Sequence, residues 1–304
     1  MTERLRIGLI GWGTVGSALG ELLRTGPLPL TLESLAVRDR KRADLPKGIQ
    51  IGAAEAALEA DIVVELAGGL EGPLTWARLA LDRGKPYVTA NKALLATHGA
   101  ELAALAERRV AALLASASVG GGTPMIETVS HLAATGAIER IRGIVNATTT
   151  YILSAMGDGR SYDDALAEAQ TAGYAEADPS FDVEGRDAAQ KLAILASVAW
   201  GRWRPETDVT TEGIVGLDVA RGDPVRLVAE ATKSGLSVKP TRLDPSDPMA
   251  RTAGVENMLE VTTGEGNVFR VSGPGAGGRV TAGAVYADLG RLVSGERPIL
   301  FGSG

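Results

Sequence analysis

The sequence contains no cysteine and only two histidines, His98 and His131. Disulfide bonds, a thiolate nucleophile and Cys/His metal clusters are therefore excluded, and we do not expect a zinc enzyme. Long apolar runs are missing as well, since no stretch approaches the roughly 20 residues that a membrane helix needs. Residues 1–6 also lack the apolar core of a secretory signal. We therefore expect a soluble, cytoplasmic protein with no membrane partner.

Charge is not concentrated anywhere along the chain. The formal net charge is −6, and the Lys and Arg residues are scattered rather than gathered in one stretch. A nucleic-acid partner needs a basic patch or stripe to neutralise phosphates. We therefore predict a small-molecule substrate and no nucleic-acid partner.

Length and hydrophobic patterning predict two domains. A chain of 304 residues exceeds the usual size of a single hydrophobic core. Between residues 5 and 115, short apolar runs alternate with helical stretches, which is typical of βαβ units in a parallel sheet. We predict an α/β protein with a Rossmann-type, doubly wound parallel sheet over residues 1–127. A second α/β domain with a mixed sheet, for substrate binding, is predicted over 128–280, followed by a helix over 281–304.

The strongest motif is the glycine-rich turn Gly11-Trp12-Gly13-Thr14-Val15-Gly16. It follows a predicted strand and opens a predicted helix, which is the context that dinucleotide binding requires. The free N–H groups and the positive dipole end of that helix attract a diphosphate. We predict that Gly11, Gly13, Thr14, Val15 and Gly16 contact a nicotinamide dinucleotide.

The end of the second predicted strand bears on the choice of coenzyme. Arg38 and Lys41 follow this strand, where NAD-specific folds place a carboxylate for the ribose 2′-hydroxyl. The two basic residues favour NADP, whereas Asp39 between them leaves NAD open. Lys92 follows another predicted strand, at the edge of an α/β sheet where ligands bind.

A second group of charged residues lies in the predicted substrate domain. Asp187 and Lys191 are four residues apart and share one face of a helix that is apolar almost all round. Burying such a pair costs several kcal/mol per ion before compensation, which favours a functional site over a surface ion pair. Upstream, Glu176, Asp178, Asp182 and Glu184 crowd one loop. One or two of these acids are explained as helix caps, but so many like charges also require a cationic partner.

These segments together resemble homoserine dehydrogenase, which reduces aspartate 4-semialdehyde to homoserine on the route to threonine, methionine and isoleucine. The resemblance covers nearly the whole chain and rests on residues 11–16, 63–69, 89–92, 118–124, 173–179, 182–191 and 273–278.

The resemblance implies specific roles for residues of this chain. Lys191, ahead of Lys92, would donate the proton to the reacting oxygen, with Asp187 engaging Lys191. The resemblance also implies that the substrate contacts Thr148, Tyr174, Glu176, Asp182 and Asp187. The coenzyme would contact Gly68, Thr89, Lys92 and Gly277 in addition to the glycine-rich turn, Arg38 and Lys41. The resemblance further implies that the second domain also forms a homodimer and that the helix over 281–304 returns to the first domain.

Three departures from the family pattern are visible. Ala147 and Thr150 replace a Gly and an Asn beside the substrate. Ser116 replaces a Glu that helps bind an alkali cation, Na⁺, in the family, which leaves the carbonyls of Val119, Gly121 and Thr123 as candidate ligands. The chain ends at Gly304, so we expect no appended regulatory domain and no threonine inhibition through one.

Three alternative functions differ from this interpretation in the residues that they require. Aspartate-semialdehyde dehydrogenase requires a cysteine nucleophile, and this sequence has none. A Rossmann-type reductase of another small substrate gives no reason for the acidic run from Glu176 to Glu184. A non-catalytic redox sensor that binds the dinucleotide remains a third alternative.

Overall fold

The structure is a computed structural model that describes residues 4–41 and 43–301. The described residues up to Gly122, together with those from Gly277 onward, form one compact unit, called unit 1. Thr123–Ala276 form unit 2. The chain therefore passes from one unit to the other at 122/123 and 276/277, whereas the sequence predicted boundaries at 127/128 and 280/281.

Strands and helices alternate in the first part of the chain. The strands are β1 (Leu5–Ile10), β2 (Leu30–Ala36), β3 (Gln50–Gly52), β4 (Ile62–Glu65), β5 (Tyr87–Thr89), β6 (Leu113–Leu114), β7 (Ile138–Ile144), β8 (Val209–Thr211), β9 (Val225–Thr232), β10 (Leu236–Arg242), β11 (Glu256–Thr263) and β12 (Val268–Pro274). The helices are α1 (Thr14–Thr25), α2 (Ala54–Ala57), α3 (Glu71–Asp82), α4 (Lys92–Arg109), α5 (Met125–Thr135), α6 (Ala147–Gly157), α7 (Tyr162–Thr171), α8 (Ser180–Val183), α9 (Arg186–Trp200) and α10 (Gly278–Val293).

Unit 1 is built on a parallel sheet with the strand order β3-β2-β1-β4-β5-β6. The order reverses between β1 and β4, and such a switch point opens a crevice at the carboxyl ends of the strands. The central strands are apolar and fully buried, as in Ile7, Leu9 and Val64, because helices cover the sheet. The returning helix α10 packs against α1 and adds Leu289 to this core. The Rossmann-type sheet predicted from the sequence is confirmed.

Unit 2 contains a mixed sheet with the strand order β12-β11-β7-β9-β10-β8. The neighbours are antiparallel except β10 and β8, which are parallel. The apolar helix α9 contacts β7, β8, β9 and β10, with Leu192 and Ile194 fully buried. The Trp200 indole donates to the carbonyl of Ile138 over 3.0 Å and anchors the end of α9 to this sheet.

The predicted and observed elements differ mainly in unit 2. The sequence analysis did not predict α6, β9 or β12. The first turn of α6 contains Thr148, Thr149 and Thr150, whose branched side chains disfavour helices, yet the tertiary structure overrides that preference. Among the described residues, no helix combines the length and apolar character needed to cross a bilayer.

Val110 is a strained position at the end of α4. It adopts φ 54° and ψ 34°, the left-handed conformation that usually follows a helix as glycine. A β-branched residue is disfavoured there because its Cβ lies too close to the backbone. The side chain is 79% exposed, so it contributes little burial in return.

We predict that Val110→Gly stabilises unit 1. Relief of the left-handed strain exceeds the extra backbone entropy of glycine, so the free energy of unfolding should rise by roughly 0.5–1 kcal/mol. Urea denaturation followed by circular dichroism measures the change. Val110→Ala is the matched control, because it keeps the Cβ and should give no gain. Equal stabilisation by the two variants would contradict the strain argument.

Candidate functional site

The three glycines of the turn after β1 occupy distinct positions. Gly11 has φ 105°, and a Cβ there would lie 2.6 Å from the carbonyl carbon of Leu66. Gly13 is the N-cap of α1, and a Cβ there would meet nothing within 4 Å. A Cβ on Gly16 would lie 2.3 Å from the carbonyl oxygen of Gly11. The tight turn, the open approach to the helix end and the close helix packing are the three features that a dinucleotide fingerprint requires.

The C-terminal helix approaches the same turn. Gly277 is the N-cap of α10 with φ 126°, and a Cβ on the next residue, Gly278, would lie 2.4 Å from the Thr14 methyl group. Thr14 and Val15 form the first turn of α1. Glycines at 277 and 278 therefore let the amino end of α10 lie directly against the amino end of α1, and both helix dipoles favour an anion nearby.

A cavity of about 1010 Å³ opens along the carboxyl ends of β1, β2 and β4. Its lining includes the glycine turn, Arg38, Asp39, Gly68 and Trp76. Arg38 and Lys41 are exposed. Asp39 accepts a hydrogen bond from the Lys41 backbone N–H over 2.9 Å, so its carboxylate closes a turn within its own loop.

Glu65, at the end of β4, is fully buried and was not identified from the sequence as a site residue. Its Oε1 accepts from the backbone N–H groups of Ala67 and Gly68, over 2.7 and 2.9 Å. Its Oε2 accepts from the Thr89 hydroxyl over 2.7 Å. A carboxyl group that accepts at both oxygens from donors in two loops fixes those loops to each other.

The same network continues to the start of α4. The Thr89 hydroxyl accepts from the Asn91 backbone N–H over 2.9 Å. The Asn91 amide donates to the carbonyl of Gly69 over 2.7 Å and accepts from the Leu94 N–H over 3.1 Å as the helix N-cap. Lys92 is the first residue of α4 and is half-buried. Glu65 and Asn91 together therefore set the position from which Lys92 extends.

In unit 2, Lys191 and Asp187 form the ion pair that the sequence predicted. The Lys191 Nζ lies 2.7 Å from Asp187 Oδ2, and the side chains are 14% and 6% exposed. The same Nζ donates to the carbonyl of Val145, just past β7, over 2.7 Å. Within the described part of the chain, these two acceptors engage two of the three ammonium N–H groups. The third remains suited to an oxygen atom of a ligand.

Asn146 connects the neighbouring carboxylates. Its Oδ1 accepts from the Thr149 backbone N–H over 2.8 Å as the N-cap of α6, which assigns the amide orientation. Its Nδ2 donates to Asp182 Oδ1 over 2.7 Å and to Asp187 Oδ2 over 2.8 Å. The Thr148 hydroxyl lies 3.1 Å from Asp182 Oδ2. The hydrogen-bonded cluster therefore holds two carboxylates and one ammonium, a balance that attracts a further cation.

The pKa of Asp182 is raised above its ordinary value. Burial is the main cause, and the nearby charge of Asp187 adds to it. Hydrogen bonds from Asn146 and Thr148 oppose the rise in part. A bound cation would therefore stabilise the ionised form of Asp182.

The resemblance also assigns Tyr174 and Glu176 to the substrate. Both side chains are exposed, and the hydrogen bonds of these residues are made through their backbone carbonyls. The Tyr174 carbonyl accepts from the Thr148 hydroxyl over 2.7 Å, while its exposed ring packs 5.2 Å from that of Tyr151. Glu176 is exposed, and its carbonyl accepts from the Gln170 amide over 3.1 Å. Thr148 thus anchors the loop that carries both residues.

Ser116 and the candidate cation ligands have defined surroundings. The Ser116 N–H and hydroxyl donate to the buried Asp288 carboxylate over 3.0 and 2.5 Å. Val119 is fully buried, and Gly121 has φ 59°. The Thr123 carbonyl accepts from the Met125 N–H over 2.7 Å. Across the described residues, no group of three or more His, Cys, Asp or Glu side chains is arranged to hold a metal ion.

The geometry of unit 1 is that of a dinucleotide-binding domain, and a buried lysine such as Lys191 is suited to proton transfer beside a hydride acceptor. The class that fits both observations is the nicotinamide-dependent oxidoreductases.

Comparisons with known proteins specify the family. A sequence model described as "Homoserine dehydrogenase, NAD binding domain" matches residues 11–115, and one described as "Homoserine dehydrogenase" matches residues 124–289. The homoserine dehydrogenase of Synechocystis sp. is 38% identical over 97% of this chain and 76% of its own length. That of Corynebacterium glutamicum is 39% identical over 93% of this chain and 70% of its own length.

Solved structures agree with the sequence comparisons. A homoserine dehydrogenase from Thiobacillus denitrificans superposes with a TM-score of 0.88 and 34% identity, covering 96% of this chain and 73% of that one. A hyperthermophilic archaeal homoserine dehydrogenase in complex with NADPH gives 0.87 and 30%, covering 97% and 99%.

The chain belongs to the homoserine dehydrogenase family and is an NAD(P)-dependent oxidoreductase. The family resemblance, the fold class and the enzyme class predicted from the sequence are confirmed. Family membership favours this assignment over a redox sensor and over a reductase of another small substrate.

The position of Glu65 leads to a prediction for coenzyme binding. Glu65→Gln keeps the side-chain size but replaces a carboxylate oxygen by an NH₂ group opposite Thr89. Loss of about one charge-assisted hydrogen bond should raise the Kd of NADPH roughly tenfold. Titration of coenzyme fluorescence measures this Kd. Glu55→Gln, on the exposed face of α2, is the matched control, and an unchanged Kd for Glu65→Gln would show that the network does not support the coenzyme site.

Proposed function

We propose that this chain interconverts aspartate 4-semialdehyde and L-homoserine by hydride transfer to and from NADP, with Lys191 as the proton donor. The observation that carries the proposal is the largely enclosed ammonium of Lys191, whose side chain is 14% exposed. It is held by Asp187 and by the Val145 carbonyl, which leaves one N–H directed by neither.

The substrate fits the charges of the unit 2 cluster. Aspartate semialdehyde and homoserine carry an ammonium group at one end and a C4 oxygen at the other. Asp182 and Asp187 supply the negative charge for the ammonium group, and Asn146 and Thr148 hold Asp182 in place. Tyr174 and Glu176, carried by the loop that Thr148 anchors, complete the proposed substrate contacts. Glu176 is exposed and is therefore placed at the outer side of this group.

The proton transfer follows from the charge of Lys191. In reduction, a bound nicotinamide would supply a hydride to the aldehyde carbon, and negative charge would develop on the substrate oxygen. Lys191 donates its proton to that oxygen, and Asp187 stabilises and orients the ammonium before the transfer. Lys92 is the second candidate donor, since its backbone position is fixed by the network around Asn91.

The coenzyme supplies the hydride, and the residues of unit 1 hold it. Gly11, Gly13, Thr14, Val15 and Gly16 bind the diphosphate, and Gly68, Thr89, Lys92 and Gly277 extend that site. NADP is preferred because Arg38 lines the cavity and is exposed, Lys41 in the same loop is exposed as well, and Asp39 is engaged within that loop. A guanidinium group pairs well with a phosphate.

Two further assignments belong to this proposal. We propose that the carbonyls of Val119, Gly121 and Thr123 hold sodium only weakly, since Ser116 provides no carboxylate and Asp288 is engaged by Ser116. No catalytic step depends on that ion. We also propose a homodimer formed through unit 2, where β12 is the edge strand of its sheet and exposes Val268 and Phe269.

Lys191→Met tests the proton donor. Methionine keeps an apolar stem of similar length but lacks the ammonium, so kcat for homoserine oxidation should fall by about 10²–10⁴-fold. The Kd of NADPH should stay unchanged, because Lys191 lies in unit 2. Steady-state rates and coenzyme titration measure the two quantities. Lys233→Met, on an exposed turn, is the matched control, and normal turnover in Lys191→Met would remove Lys191 from the proposed role.

Asp182→Asn separates substrate binding from stability. The Asn oxygen can accept from Asn146 and its NH₂ group can donate to the Thr148 hydroxyl, so the cluster keeps its hydrogen bonds. Without the carboxylate, KM for homoserine should rise by about a hundredfold or more, in line with loss of a buried charge pair. Initial rates at varied homoserine concentration measure KM.

The difference in stability between Asp182→Asn and the wild type should depend on pH. Since the folded-state pKa of Asp182 is raised by burial, the wild type loses stability as pH rises through that pKa, and a neutral Asn does not. Asp182→Asn should therefore match the wild type at low pH and exceed it above the raised pKa. Thermal unfolding at a series of pH values that begins near the ordinary pKa of an Asp side chain and extends upward checks this. A variant less stable than the wild type at neutral pH would contradict the charge assignment.

A further inference from the structure

Trp12 lies between the first two glycines of the coenzyme turn, yet its side chain reaches two other parts of unit 1. It is 8% exposed. The six-membered ring of its indole packs over Gly20 on α1, where a Cβ would lie 2.3 Å from the ring. Its Nε1 donates to the backbone carbonyl of Asp44 over 3.2 Å. The side chain thus links the phosphate turn to the segment that follows β2.

That segment carries the charges that distinguish the two coenzymes. It comprises residues 37–41 and 43–49, and is called the basic segment here because Arg38, Arg40 and Lys41 lie in it, all exposed. Strand β2 fixes its beginning. The Trp12 bond to Asp44 fixes the backbone beyond the charged residues, so the segment is held on both sides of them.

Position matters more for the basic segment than for the buried part of the site. Exposed Arg and Lys side chains lose conformational entropy when they bind a phosphate, and pairing is strong only when the backbone holds them at the right distance. Trp12 lines the same cavity as Arg38 and Asp39. The tether and the charges therefore act on one bound molecule.

We propose that Trp12 is a specificity-positioning residue. Its indole N–H holds the basic segment at the ribose 2′ end of the coenzyme, and in this way it favours a nucleotide with a 2′-phosphate over one with a 2′-hydroxyl. This inference rests on the NADP preference proposed above. It assigns part of that preference to a residue whose own side chain carries no charge.

The test measures the Kd of NADPH and of NADH by coenzyme fluorescence in the absence of substrate. One variant replaces the indole N–H of Trp12 by sulfur, as 3-benzothienylalanine, which keeps the ring on Gly20 and removes the donor. Trp12→Phe is the second variant, and Trp203→Phe, in unit 2, is the control. Loss of one neutral hydrogen bond predicts a Kd for NADPH about fivefold higher, with NADH changed less than about twofold.

Each outcome has one meaning. A fall in the NADPH to NADH preference in both Trp12 variants, with the control unchanged, supports the inference. Equal weakening of both coenzymes, or no change in either, overturns it, because Trp12 then acts only in packing or not at all. The wild type is measured first: a preference for NADH there overturns the proposed NADP preference itself, whereas an NADPH preference that survives in the variants overturns this inference alone.

Discussion

The cost of removing carboxylates from water organises both units of this chain. A buried carboxylate without donors is destabilising by several kcal/mol, and Glu65, Asp187 and Asp288 are each contacted by groups that offset this cost. Glu65 accepts hydrogen bonds from two loops of unit 1, and Asp187 is paired with Lys191 in unit 2. Asp288 accepts from Ser116 at the start of a short 3₁₀ turn. The segments that satisfy Glu65 and Asp187 carry residues that the proposed chemistry uses, namely Gly68 and Thr89 beside Glu65 and Lys191 beside Asp187.

Glu65, Asp187 and Asp182 differ in the groups that contact them, and the difference matches the roles proposed for them. Glu65 is held by a hydroxyl and backbone N–H groups, so it fixes loops without supplying a reactive cation. Asp187 is paired with Lys191 and so holds an ammonium group next to the carbonyl of Val145. Asp182 accepts from the neutral amide of Asn146 and lies 3.1 Å from the Thr148 hydroxyl, and its pKa is raised mainly by burial. It is the acid with most to gain from a cationic substrate.

Local sequence predicted those parts of the fold and site whose partners are close in the chain. The glycine turn, the parallel strands and the i,i+4 pair of Asp187 and Lys191 follow from spacing and periodicity alone. Contacts between distant residues left no such signal. Ser116 and Asp288 are 172 positions apart in the sequence, and Asn146 and Asp187 are 41 positions apart. Glu65 ends an apolar strand without a pattern that marks it. Its only local hint was an acid inside a buried run, which calls for donors nearby.

The central claim is that the carboxylates of unit 2 recognise the ammonium group of the substrate, while Lys191 donates a proton to the substrate oxygen. The most direct measurement compares kcat/KM for NADP-dependent oxidation of L-homoserine with that of 4-hydroxybutanoate, the same molecule without its amino group. Loss of a buried charge interaction worth about 3–5 kcal/mol predicts that the deaminated compound is oxidised at least about a hundredfold less efficiently. Equal efficiency for the two compounds would contradict the account, because the buried carboxylates would then have no part in recognising the substrate.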